Sequence, residues 1–112
     1  VSQTTLDLYL ERAGIPKVDA IKMDVEGGEL EALRGAGRLL ARRPRPILLC
    51  EVQEIRTAPW GYRSVEIWDL LASWGFRWFS IAQDGTPVSM ERKEAFDDNL
   101  VAVPEERLGE VP

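Results

Sequence analysis

Residues 20–29 constrain the fold of this chain most strongly, because an apolar run there ends in two acids and two glycines. The acids are Asp24 and Glu26, and the glycines are Gly27 and Gly28. A nearly continuous apolar strand is typical of a sheet that is covered on both faces. In open α/β sheets, ligands bind in the crevice outside the carboxyl ends of the strands. The segment therefore predicts two carboxylates at a ligand-binding edge.

Helix and strand signals alternate along the whole chain. The predicted helices cover residues 5–13, 29–41 and 65–74, and the predicted strands cover residues 18–25, 47–52, 76–81 and 99–103. Gly35 and Gly37 weaken the second helix and predict a break within it. The βαβαβ order predicts parallel strands with right-handed crossovers. The final connection lacks a clear helix, so the fold class is α/β with a mostly parallel sheet, an antiparallel last strand and helices on the faces.

Composition excludes several classes of function. The net charge of −5 argues against non-specific binding of nucleic acid, which needs a basic face. The chain has no histidine, which excludes a histidine general base and a histidine-ligated metal within it. Cys50 is the single cysteine, so no internal disulfide forms and secretion gains no support. No apolar run approaches the roughly 20 residues that span a bilayer, and the first residues given lack the basic-then-apolar order that predicts a signal peptide. We therefore expect a cytoplasmic protein without membrane or nucleic-acid partners.

Asp24 and Glu26 are the first candidates for catalysis. A carboxylate at that edge can accept a proton from a substrate hydroxyl, orient the hydroxyl, or ligate a divalent cation. Acids at strand-to-helix turns are also common for structural reasons. One of the two can cap the following helix or pair with Lys22 instead, and both interpretations stay open.

Glu51, Lys22 and Trp60 are candidates for substrate binding. Glu51 closes the apolar strand at residues 47–52, so a parallel neighbour brings it towards Asp24. A lone glutamate at a strand end and a strand lysine beside an acid are more often structural. Trp60 follows the Glu51 strand in a segment with a proline and a glycine, where loops carry substrate contacts. Packing within that loop is an equally good interpretation.

Three sequence motifs carry a resemblance to a known family. They are a threonine–leucine–aspartate opening at residues 5–7, the core Lys-Met-Asp-Val-Glu-Gly at residues 22–27, and Leu-Arg-Gly-Ala at residues 33–36. On these motifs the chain resembles the FkbM family of S-adenosylmethionine-dependent methyltransferases. The resemblance implies a partial class I methyltransferase (Rossmann-like) fold and methyl transfer to a hydroxyl of a sugar or natural-product acceptor. It matches Asp24 to the acid beside the transferring methyl group and matches Glu26 and Glu51 to accompanying acids, and it leaves open whether they act as base, substrate clamp or metal ligands.

Two departures from the family pattern affect these expectations. Gln53 stands where the family commonly has a histidine, and the cofactor-binding strands with their glycine-rich turn are not found in this sequence. The resemblance therefore implies that residues 1–104 are the C-terminal half of a catalytic domain. Residues 105–112 follow the proline that stops the last strand, and we expect them to be a flexible tail. It places the residues that bind S-adenosylmethionine upstream of Val1.

Two other functions stay open at this point. The chain can be a non-catalytic remnant, or a subunit that completes its sheet with another chain, including a second copy, through an exposed edge strand. It can also be a different α/β enzyme, such as a metal-dependent hydrolase, that uses the same acids. The residues leave any metal site undefined.

Overall fold

The computed structural model describes residues 20–23 and 29–111, which form an α/β fold on one five-stranded mixed sheet. The strands are β1 (Ala20–Met23), β2 (Ile47–Gln53), β3 (Phe76–Ile81), β4 (Pro87–Ser89) and β5 (Asp97–Pro104). The helices are α1 (Glu29–Arg34), α2 (Gly37–Ala41), α3 (Glu54–Thr57) and α4 (Val65–Ser73), with 3-10 helices at Ala58–Trp60 and Glu105–Glu110. In the described part of the chain, no helix has the length and apolar character to cross a membrane. The helix predicted at residues 5–13 lies outside the described residues.

The strands lie in the order β1-β2-β5-β3-β4. β1 and β2 are parallel, whereas β5 is antiparallel to both β2 and β3, and β4 is antiparallel to β3. The antiparallel last strand is confirmed, but the expectation of a mostly parallel sheet is wrong. β5 inserts between β2 and β3 and separates two strands that run in the same direction. The short hairpin strand β4, which the sequence did not predict, adds another antiparallel pair.

The predicted break in the second helix is confirmed. α1 ends at Arg34 and α2 begins at Gly37, so a turn separates two short helices. Both helices bury apolar residues against one face of the sheet, including Leu33 and Leu40. Glycine lowers helix stability by about 1 kcal/mol relative to alanine, and two glycines close together end the helix locally.

The core lies between these helices, α4 and one face of the sheet. Leu48, Cys50 and Val52 alternate along β2 and are almost completely buried on that face. The Trp68 ring of α4 stacks on the rings of Trp78 and Phe96, with centroid distances of 5.3 and 5.0 Å. The other face of the sheet is more open, because Leu49 of β2 is 40% exposed. We call this second face the open face.

The segment after β5 is attached to the body of the fold through Glu106. The Arg45 backbone N–H and Nε donate to Glu106 Oε2 at 2.8 and 3.0 Å, and Nη2 donates to Oε1 at 2.9 Å. The Arg45 guanidinium also lies 4.7 Å from the centroid of the Phe76 ring and donates to the Trp74 carbonyl. This segment, expected to be a flexible tail, contains the 3-10 helix Glu105–Glu110. The attachment depends on an ion pair between distant residues, which no local pattern reveals.

Candidate functional site

The pairing of β1 with β2 sets the register at the edge where the acids were predicted. Met23 lies beside Cys50 in the parallel ladder, with Cys50 Sγ 3.9 Å from Met23 Sδ. Met23 immediately precedes Asp24 in the sequence, and Cys50 immediately precedes Glu51. Asp24 and Glu26 themselves lie outside the described residues, so their predicted catalytic roles stay predictions.

Glu51 lies at the carboxyl end of β2 and on the open face of the sheet. Its neighbours Cys50 and Val52 point into the core, and successive side chains of a strand alternate between faces. The Glu51 side chain is 22% exposed, and its Oε1 lies 3.8 Å from Nε of Arg56. An ion pair this long and this accessible contributes at most about 1 kcal/mol. Glu51 is therefore at the predicted edge and is not locked into a buried ion pair.

Lys22 shares the open face with Glu51. Lys22 pairs in register with Leu49, which is two residues before Glu51 and on the same side of β2. The Lys22 residue is exposed. The structure therefore brings two of the predicted substrate-binding residues to one face, near one end of two adjacent strands.

Trp60 ends the 3-10 helix that follows α3. Gly61 closes this turn with a φ of 83°, and its backbone N–H donates to the Ala58 carbonyl at 3.0 Å. The Trp60 residue is 54% exposed, so it is not a core residue. A short helix, α3, separates it along the chain from the end of β2. The structure leaves its indole accessible to a ligand, as the interpretation of substrate contact requires.

A cleft of about 510 Å³ opens beside the carboxyl end of β2. It lies between the start of α3 and the segment that leads into β5. Its lining combines apolar and charged side chains, and it consists of Glu54, Ile55, Lys93, Ala95, Phe96, Asp97 and Asp98. The cleft is open to solvent over much of its surface, so a ligand there stays partly exposed, unlike one in an enclosed pocket. Sequence reasoning missed this cleft, because its two walls are about forty residues apart in the chain.

Glu54 is held in one orientation at the wall of this cleft. Its Oε1 accepts hydrogen bonds from the Ser64 backbone N–H at 2.9 Å and from the Ser64 hydroxyl at 2.7 Å. The Ser64 hydroxyl oxygen also accepts from the Phe96 N–H at 2.9 Å. The Glu54 N–H donates to the Phe96 carbonyl at 2.9 Å. These four bonds join the end of β2, the start of α4 and the segment before β5.

The same bonds control the charge of Glu54. Hydrogen bonds donated by the Ser64 hydroxyl and backbone N–H lower the pKa of the Glu54 carboxyl, and the nearby Arg63 charge acts in the same direction. Hydrogen bonds to the ionised form of a carboxyl favour that form. Glu54 is therefore a carboxylate at neutral pH. No sequence pattern singles out Glu54, since it is one of several charged residues in a polar stretch.

No group of three or more histidine, cysteine, aspartate or glutamate side chains is arranged to hold a metal ion within residues 20–23 and 29–111. The same residues contain no glycine-rich turn that leads from a strand directly into a helix. The described part of the chain thus contains carboxylates, an open sheet edge and a cleft, but no recognisable cofactor-binding motif.

Comparison with known proteins identifies the family of the chain. A family model described as the methyltransferase FkbM domain matches residues 1–78. The matched region runs from the first residue into β3 and includes Asp24, Glu26, Glu51 and Trp60. No curated protein and no solved structure matched the chain.

Proposed function

The chain belongs to the FkbM methyltransferase family, and from this premise we propose that it transfers a methyl group from S-adenosylmethionine to a hydroxyl of a small-molecule or glycan acceptor. The single observation that carries the proposal is the family match over residues 1–78, which covers both strands whose ends bear the acids. The strand register supports it, because β1 and β2 are parallel and end at the same edge.

In this proposal the acids after β1 and β2 act together on the acceptor. The register that places Met23 beside Cys50 supports a position for Asp24 near Glu51. Asp24 or Glu26 accepts the proton of the acceptor hydroxyl or orients it, which raises the nucleophilicity of the oxygen. Glu51 and Lys22 contact other polar groups of the acceptor, and Trp60 offers an apolar ring to it. Positioning and electrostatic stabilisation supply most of the rate enhancement.

S-adenosylmethionine would supply an electrophilic methyl group to this site. The described residues contain no recognisable binding motif for this cofactor. We therefore assign the cofactor contacts to residues outside the described part of the chain. Isothermal titration of the chain with S-adenosylmethionine tests this assignment. Because those contacts are expected upstream of Val1, we expect no binding by the 112-residue chain, and measurable binding would contradict the expectation.

The catalytic role of Asp24 is tested by substitution in a form of the protein that transfers methyl groups. We expect Asp24→Asn to lower the turnover number for methyl transfer by about 10²-fold or more, because general-base catalysis contributes that much. Asp84→Asn is the matched control, since Asp84 lies in the turn between β3 and β4 and its Oδ1 accepts from the Thr86 N–H at 2.9 Å. Equal turnover of the Asp24 variant and the control would reject the role.

A second candidate function is supported by the edge position of β1. In the sheet of the described residues, β1 has β2 on one side and no strand on the other. Such an edge offers unpaired backbone groups to another chain. The chain would then act as a non-catalytic subunit, or pair with a second copy. Sedimentation equilibrium separates the possibilities, because pairing through β1 yields a dimer that Ile21→Pro dissociates, whereas a monomer at all concentrations argues against self-association.

A further inference from the structure

The cleft beside β2 lies at the same edge of the sheet as the predicted acids but on the other side of β2 from β1. β2 is flanked by β1 and β5, and the cleft is lined by the first residues of β5. Neighbouring strands are about 4.8 Å apart, so about 10 Å separates β1 from β5. A small molecule of about that length can contact both the edge of β1 and the cleft.

One carboxylate oxygen of Glu54 accepts hydrogen bonds from Ser64, and the other is available to a ligand. Oε1 accepts both hydrogen bonds from Ser64, whereas Oε2 accepts none from the residues that the structure describes. The Ser64 residue is completely buried, so water does not compete with Glu54 Oε1 for the two Ser64 donors. The carboxylate is therefore oriented before a ligand arrives, which reduces the entropy lost on binding.

The charge and shape of the cleft restrict which ligands fit. Three of its lining residues are acids, whereas Lys93 is its single cation and lies 3.4 Å from Asp98 Oδ2. The Phe96 ring is buried against Trp68 and has Lys93 Nζ 5.6 Å from its centroid, so Ile55 and Ala95 supply the exposed apolar surface of the cleft. A neutral molecule with hydroxyl donors and an apolar face matches this lining, whereas a carboxylate or phosphate is repelled.

We infer that Glu54 is a ligand-binding residue of this cleft: its Oε2 accepts a hydrogen bond from an acceptor hydroxyl, and Ser64 is the positioning residue that holds the carboxylate. The inference deepens the proposed function and rests on it, because it extends the acceptor site across β2. The binding role assigned to Glu54 depends only on the residues that line the cleft and on Ser64.

The test uses a neutral glycoside, methyl β-D-glucopyranoside, as the probe for the 112-residue chain, followed by NMR chemical shifts. We expect shift changes at residues 54–55 and 93–98 that saturate with the probe, and at least fivefold weaker binding of D-glucuronate, which has a similar ring and a negative charge. Shift changes that leave these cleft residues unaffected, or equal affinity for the two probes, would overturn the inference. This measurement needs neither S-adenosylmethionine nor turnover.

Glu54→Gln is the informative variant, because glutamine keeps an oxygen for Ser64 and replaces the available oxygen by an NH₂ donor. We expect it to bind the glycoside about tenfold more weakly while its unfolding transition stays close to that of the original chain. Thr57→Val is the control, since the Thr57 hydroxyl is also fully buried at this corner but donates only to the Glu54 carbonyl at 3.2 Å. Unchanged glycoside affinity of Glu54→Gln would overturn the binding role.

Ser64→Ala separates positioning from stability. We expect the pKa of the Glu54 carboxyl, followed by NMR, to rise towards its ordinary value, and the glycoside affinity to fall severalfold. A purely structural Ser64 would lower stability and change that pKa but leave the affinity unchanged, and this result would reject the positioning role. Failure of methyl transfer in a form of the protein that binds S-adenosylmethionine would instead reject the proposed function and leave the cleft measurements interpretable.

Discussion

Replacing Glu106 by glutamine should show how strongly one buried ion pair attaches the end of the chain to the fold. The Arg45 side chain is 4% exposed and the Glu106 side chain 18% exposed. The variant keeps the shape of residue 106 but leaves the Arg45 charge without its carboxylate, and it also weakens the exposed ion pair in which Arg43 Nη1 donates to Glu106 Oε1 at 2.5 Å. Removing one partner of a buried pair costs about 3–5 kcal/mol, and the partial exposure of Glu106 lowers this estimate through solvent screening.

The shifted pKa of Glu106 sets the size of the expected loss in the free energy of unfolding. Hydrogen bonds from Arg45 lower the pKa of Glu106 from 4.5 to about 2. That difference corresponds to at most about 3 kcal/mol, so after screening we expect a loss of about 2 kcal/mol in the free energy of unfolding at pH 7. Because the folded-state pKa is the lower one, the stabilisation is complete above about pH 4.5 and is lost as the pH falls towards about 2.

Urea unfolding followed by tryptophan fluorescence at pH 7, 4 and 2.5 measures the prediction. Asp69→Asn is a matched control, because Arg92 Nε and Nη2 donate to the two oxygens of Asp69 at 2.8 and 3.1 Å in the same bidentate arrangement. That pair is exposed, with side chains 47% and 48% accessible, so its loss should cost less than about 1 kcal/mol. Equal costs for the two variants, or a Glu106→Gln cost that stays constant down to pH 2.5, would refute the reasoning.

Three further predictions concern the fold and its edge. Leu71→Ala should lower the free energy of unfolding by about 2–5 kcal/mol, because Leu71 is fully buried in α4, and a loss below 1 kcal/mol in urea unfolding would contradict this packing. Gly85→Ala should cost about 1–2 kcal/mol from its φ of 86° alone, and Gly75→Ala, with a φ of 83°, should cost about the same, since the Glu105 carboxyl 3.2 Å from its new Cβ is the end of an exposed side chain and can move aside. Thermal unfolding compares the two variants, and a clearly larger cost at Gly75 would mean that Glu105 does not move. Cys50 should resist a thiol reagent in the folded chain and react in urea, because its side chain is buried between β1 and the core. Rapid labelling without urea would mean that the β1 edge of the sheet opens readily.

Much of the local structure could be predicted from the sequence, because it depends on residues close together in the chain. The strand at Phe76–Ile81 was predicted with its observed bounds, and the helix break near Gly35 was predicted from glycine content. Both signals reflect intrinsic backbone preferences and short-range periodicity. The motif around Asp24 likewise sufficed to identify the family, which the match over residues 1–78 confirms.

The candidate site was predicted only in part. The position of Glu51 at the end of a strand parallel to β1 was visible in the pattern of apolar runs. Glu54 was missed, because its importance comes from Ser64, ten residues away, and from Phe96, which belongs to a segment without a clear pattern. A hydrogen-bond network of this kind has no sequence periodicity.

The sequence by itself determined most of the helices and strands, where one helix breaks and which family the chain belongs to, but it did not predict α3, β4 or the two 3-10 helices. Only the tertiary structure decided that β5 inserts between β2 and β3, that Arg45 pairs with Glu106, and that a cleft opens beside β2. The physical reason is distance along the chain. Backbone preferences and side-chain alternation act over a few residues, whereas the pairing of β2 with β5 and the Arg45–Glu106 pair join residues that meet only when the whole sheet has assembled.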